Sequence, residues 1–126
     1  MMNKTVRTGH KTLILERLQI LVSLGILPAE IDQLQPIEVN ADLNLGEQPL
    51  VPEKDDIDAV LDYRGVREVI IKACTATHVN LLETLVGQVA SALMSLPGVL
   101  GVRVCMTKLE IFDDCEVSVQ LQAGEW

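Results

Sequence analysis

Ile37, Val39, Ala41, Leu43 and Leu45 alternate with Glu38, Asn40, Asp42 and Asn44. Helical side chains return to one face every 3.6 residues, so no helix can sort this pattern. A period of two held over that length predicts a β-strand with one dry face and one wet face. The polar row Glu38, Asn40, Asp42 and Asn44 is assigned to the face that meets water. Other elements must cover the apolar side.

The neighbouring segments supply that cover. Residues 12–24 read as a long strand through Leu13, Leu15, Leu18, Ile20 and Val22, with a helical reading in competition, and Gly25 and Pro28 end it. Gly46 to Asp55, with Pro49 and Pro52, reads as a loop, and a helical turn follows Asp55-Asp56. Val66, Val69, Ile70, Ala73 and Cys74 recur at helical spacing, which predicts a helix over 64–76. Leu82, Leu85, Val86, Val89, Ala90 and Leu93 predict a second over 80–96, stopped by Pro97-Gly98. Val102, Val104 and Met106 alternate in a third strand, and Val117, Val119 and Leu121 in a fourth. The order ββααββ predicts an α+β fold: an antiparallel sheet with two helices on one face. Its open edges invite association with further copies.

Composition sets the class. The chain has 126 residues, 48% of them hydrophobic and 22% charged, as expected for one globular domain. We divide it into a flexible tail, 1–11, and a single domain, 12–126. Tyr63, Phe112 and Trp126 are the only aromatics, so the core must be aliphatic. The net charge of −8 disfavours nucleic acid and anionic membranes, which need clustered Lys and Arg. No window reaches membrane-span length and no secretory pattern is visible, so a cytoplasmic protein is expected. Cys74, Cys105 and Cys115 fit neither a disulfide framework nor a zinc knuckle, and read as small apolar residues. His10 and His78 are the only histidines, which leaves metal sites and histidine triads poorly supplied; His78 reads as a surface or capping residue.

Asn80-Leu81-Leu82-Glu83 places a carboxylate in the first turn of the second helix. The N–H groups there are unpaired and partly positive, so an acid stays ionised. An anion beside free donors suits a flat heterocycle with an amino-amide edge. Asn80 and Glu83 also form a capping-box pattern, and local sequence favours that structural role. Tyr63 and Lys108 flank the helix in sequence and together point toward a small-molecule enzyme, although each taken alone reads better as a packed ring or a solvated strand end.

Four segments together resemble dihydroneopterin aldolases: Gly25-Ile26-Leu27-Pro28-Ala29-Glu30, Asp55-Asp56-Ile57 through Leu61-Asp62-Tyr63, Val79-Asn80-Leu81-Leu82-Glu83, and Val102 to Lys108. The resemblance covers roughly residues 13–122. Leu109 stands where many relatives have proline after the lysine, Val22-Ser23-Leu24 replaces the usual aromatic or histidine, and the turn from Glu110 to Cys115 is atypical.

The resemblance implies the tunnelling fold, closing into a ring-shaped barrel of four chains or eight, with sites between adjacent subunits. It implies a folate-pathway retro-aldol cleavage of dihydroneopterin, with no metal or cofactor because the dihydropterin's own C=N bond is the electron sink. It assigns Glu83 to the pterin's amino group and ring N–H, and Leu82 to the ring. Glu30 would bind the side-chain hydroxyls, and Leu61 and Asp62 would complete the substrate-binding set. Tyr63, from the neighbouring subunit, and Lys108 become the catalytic pair; a lysine in that role calls for desolvation or a nearby cation. An epimerase acting on dihydroneopterin or its triphosphate, and a catalytically silent pterin- or purine-binding ring, remain as alternatives.

Overall fold

The computed structural model describes residues 5–126. Two long strands come first, β1 (Thr8–Val22) and β2 (Gln35–Pro49). A single 3-10 turn at Ile57–Ala59 leads to helices α1 (Tyr63–Thr75) and α2 (Leu82–Met94), and then to β3 (Gly101–Lys108) and β4 (Val117–Gly124). The strands form one antiparallel sheet in the order β1-β2-β3-β4. The expected ββααββ order and the helix pair are both present.

The helices cover one face. Ile37, Val39, Ala41 and Leu43 of β2 and Val102, Val104 and Met106 of β3 are at most 1% exposed, as are Val66, Ile70, Leu85, Val89 and Leu93 of the helices. Period-two and period-3.6 stripes thus meet in one aliphatic core, each large side chain contributing about 1.5–3 kcal/mol by leaving water. Among the described residues, no helix is long and apolar enough to cross a membrane.

Three expectations need correction. The first strand begins at Thr8, not Thr12: Thr8–Lys11, expected in the tail, pair with Gly46–Pro49, expected in a loop. Residues 1–4 of that tail lie outside the described residues. Gly46 adopts φ 69° at a register shift between Lys11 and Thr12, so a turn-forming residue serves here as a bulge inside the ladder. Asn44 is buried rather than wet: its Nδ2 donates to the Glu125 carbonyl at 2.7 Å and its Oδ1 accepts from Gly46 N–H at 2.9 Å. The chain end folds across β2 and covers it. The cysteines also differ among themselves. Burial pushes the Cys74 thiol up to about 11, whereas Cys115 is exposed.

Candidate functional site

A cleft of about 290 Å³ opens where the loop after β1, the start of α2 and the β3–β4 connection converge. Glu30, Leu82, Glu83 and Lys108 all line it, and Phe112 stands at its rim. A second cleft of about 330 Å³ is bordered by Leu61 and Asp62. It lacks a buried ion pair, so the first cleft is the better candidate for chemistry.

The loop after β1 carries Glu30 inward. Gly25 turns the chain at φ 120°, a conformation that side-chain-bearing residues rarely adopt. The Glu30 N–H donates to the Leu27 carbonyl at 2.8 Å, closing a turn that aims the carboxylate back at the sheet. Glu30 is 5% exposed. Burial alone would raise its pKa. Hydrogen bonds from Lys108 (2.7 Å), Gln35 (2.9 Å) and the Leu27 N–H (3.2 Å), with the lysine's charge, outweigh burial and hold it below the ordinary 4.5. An ionised carboxylate lining a cleft can accept hydrogen bonds from hydroxyls or act as a base.

Lys108 ends β3. It keeps the inward phase of Val102, Val104 and Met106, one step past the core, so its stem lies on buried surface. Its side chain is 13% exposed and its Nζ sits 2.7 Å from Glu30 Oε2. Of the two expected influences on the lysine, desolvation or a nearby cation, the side chain is largely withdrawn from water, and the charge beside Nζ is an anion rather than a cation. Gln35 completes the cluster, bridging Glu30 Oε2 and the Leu24 carbonyl. No pattern in the sequence singled it out, because it reaches Glu30 only through the chain reversal between β1 and β2.

The capping box does not form. Leu81 occupies the N-cap of α2 without a side-chain cap, and Asn80 Oδ1 instead accepts from His78 Nε2 at 3.2 Å. Among the described residues nothing hydrogen-bonds the Glu83 carboxylate, which is exposed above the cleft, while Leu82 beside it is buried. The first-turn N–H groups stay open beside a free anion.

The other assigned residues lie elsewhere. Tyr63, the first residue of α1, is 67% exposed. Asp62 is the N-cap of α1: it accepts from Arg64 N–H at 2.9 Å and pairs with that guanidinium at 2.7 Å. Those bonds hold its carboxyl below the usual range. Leu61, Asp62 and Tyr63 are absent from the lining of the Glu30–Lys108 cleft in the same chain. Phe112 lines it although no sequence pattern assigned it a role, because the β3–β4 turn lacks a recognisable pattern.

A family model described as dihydroneopterin aldolase matches residues 13–122. Comparison with curated proteins returns no significant match. Among solved structures, a dihydroneopterin aldolase from Burkholderia thailendensis, bound to guanine, is 26% identical with a TM-score of 0.78 over 92% of each chain. The E. coli dihydroneopterin aldolase in complex with neopterin is 18% identical with a TM-score of 0.76, over 90% of this chain and 99% of that one. A uricase from Arthrobacter globiformis is 14% identical with a TM-score of 0.57, over 94% of this chain and 48% of its own. Likeness at these last two identities is one of fold alone.

Proposed function

The chain belongs to the dihydroneopterin aldolase family, and from that premise we propose that it cleaves dihydroneopterin to 6-hydroxymethyl-dihydropterin and glycolaldehyde, a step of folate biosynthesis. The observation that carries the reading is the joint placement of Glu83 and the Glu30–Lys108 pair on one cleft. Guanine and neopterin, bound by two of the similar proteins, share an amino-amide edge. A carboxylate can take that edge with two parallel hydrogen bonds.

With the ring's amino edge on Glu83, the substituted carbon points toward Lys108 and Glu30. A base removes the proton of the second side-chain hydroxyl. That oxygen becomes the aldehyde of glycolaldehyde as the bond between the first and second side-chain carbons breaks. The electron pair moves into the ring's C=N bond and leaves an enamine. Protonation at the first side-chain carbon gives the hydroxymethyl product. Glu30 orients the hydroxyls, and Lys108, whose Nζ donates to Glu30, exchanges protons with the substrate directly or through water. Tyr63 enters from an adjacent copy in a ring of four or eight chains. Its exposure, its absence from its own chain's cleft and the open edges of β1 and β4 support that arrangement.

The test is incubation with dihydroneopterin and detection of glycolaldehyde, with chromatography of the remaining pterin to reveal an epimer. Lys108→Ala should abolish turnover with neopterin still bound, and Lys108→Gln, which can still donate to Glu30, should do the same. Glu83→Ala should weaken neopterin binding far more than it lowers the melting temperature. Release of glycolaldehyde at the wild-type rate by both lysine variants rejects the assignment.

A further inference from the structure

His78 plays no part in the chemistry above, yet both of its ring nitrogens are bonded. Ser23 Oγ lies 2.6 Å from Nδ1, and Nε2 lies 3.1 Å from the Gly25 carbonyl and 3.2 Å from Asn80 Oδ1. A backbone carbonyl only accepts, so Nε2 carries the proton. In the neutral ring Nδ1 is then the acceptor, and the Ser23 hydroxyl donates to it. Tautomer and geometry are mutually consistent.

The place of this ring matters more than the bonds themselves. One wall of the cleft is the loop that starts at Gly25 and delivers Glu30. The other is the start of α2, which presents Leu82 and Glu83. Among the described residues a single short parallel bridge, Leu24 with Val79, joins them in the backbone, through Gly25 N–H to the Val79 carbonyl (3.0 Å) and Val79 N–H to the Ser23 carbonyl (3.2 Å). Both bonds meet at the single residue Val79, so the backbone ties the two walls at one point only. The imidazole straddles buried Leu24, gripping Ser23 on one side and Gly25 on the other, and adds a second tie. It also turns Asn80 away from α2, so no side chain fills the helix end.

We propose that His78 is a positioning residue: its Nε2–H tautomer, set by Ser23 and Gly25, braces the loop of Glu30 against the helix of Glu83 and fixes the span across which the bicyclic ring is held. The proposal rests on the pterin reading of the cleft. Its tests separate the brace from that reading.

In the assembled enzyme, His78→Ala should lower kcat/KM for dihydroneopterin by about 10–100-fold, the loss expected when reacting groups are misplaced by about an ångström. Neopterin binding should weaken in parallel. His78→Gln puts an amide N–H where Nε2–H stood and should recover most of the loss. His78→Asn, which reproduces only the Nδ1 side, should not. The 15N shifts of the wild-type ring should report Nε2–H, and amide exchange at Gly25 and Val79 should quicken in His78→Ala. If His78→Ala fails to fold, Ser23→Ala, which removes only the bond at Nδ1, should still quicken that exchange and lower kcat/KM. An Nδ1–H ring, unaltered exchange, or equal activity of the Ala, Gln and wild-type proteins overturns the brace. Glycolaldehyde-free incubations and no neopterin binding by the wild type sink the pterin reading instead, and exchange and tautomer still judge the brace.

Discussion

Glu30 illustrates how one side chain is tuned jointly by neighbours close to it in the chain and by a partner 78 residues away. Desolvation works against its charge, and Lys108, Gln35 and the Leu27 N–H together overcome it. Its folded pKa is therefore depressed. Such a group contributes stability that is complete above its unfolded value of 4.5 and is lost as the pH falls through the lower folded value. Wild type should thus exceed Glu30→Gln in urea midpoint by a constant margin above pH 4.5, and the margin should shrink below it. A margin independent of pH down to full acid unfolding would show that the carboxylate gains nothing from its partners. The acid was legible in the sequence through the resemblance of the Gly25–Glu30 segment to the family's loop; Gln35 was not. At Glu83 local sequence favoured a cap, and the structure decided otherwise because His78 takes the Asn80 side chain.

Two bulges explain what was ambiguous among the elements. Leu15 pairs with Ala41 and Leu18 with Val39, so β1 carries one residue more than β2 across that step. Leu15 and Leu18, three apart, both pack on the core, and that spacing imitates a helix. Arg17, at φ 59°, absorbs the extra residue, and its N–H donates to Asn40 Oδ1 at 2.9 Å. At the other bulge Gly46 and Pro49, ordinary turn signals, sit inside a paired strand because β1 supplies partners across from them. The loop that delivers Glu30 depends similarly on Gly25. A Cβ there would collide with the Glu30 carboxylate, and φ 120° is unfavourable for alanine. Gly25→Ala should therefore lower turnover by at least about 10²-fold, as for a displaced catalytic group, with α2 and neopterin's ring contacts kept. Steady-state kinetics beside circular dichroism checks this, and wild-type turnover in the alanine variant would refute it.

At the scale of the assembly, the proposed arrangement puts the pocket side and the phenol side of the site on different copies. Chains carrying Lys108→Ala lack one side and chains carrying Tyr63→Ala the other. Mixed by co-refolding, they should regain activity, since about a quarter of interfaces in a random ring join an intact cleft to an intact tyrosine. Each variant alone should be inactive, and native mass spectrometry should find the mixed rings. Failure of mixing to restore turnover, with mixed rings present, would place both groups' action within one chain.

Local patterning was enough for the element order and the aliphatic core, because alternation and helical stripes are carried by near neighbours along the chain, while the family was legible through the resemblance of the four segments that hold Glu30, Tyr63, Glu83 and Lys108. Tertiary structure alone decided that Thr8–Lys11 joins the sheet, that Asn44 is buried under the chain end, that Asn80 serves His78 rather than α2, and that Gln35 and Lys108 converge on Glu30. Each of these depends on which surfaces meet after the chain reverses, and hydrogen-bond partners brought together by strand register leave no periodic trace in the sequence.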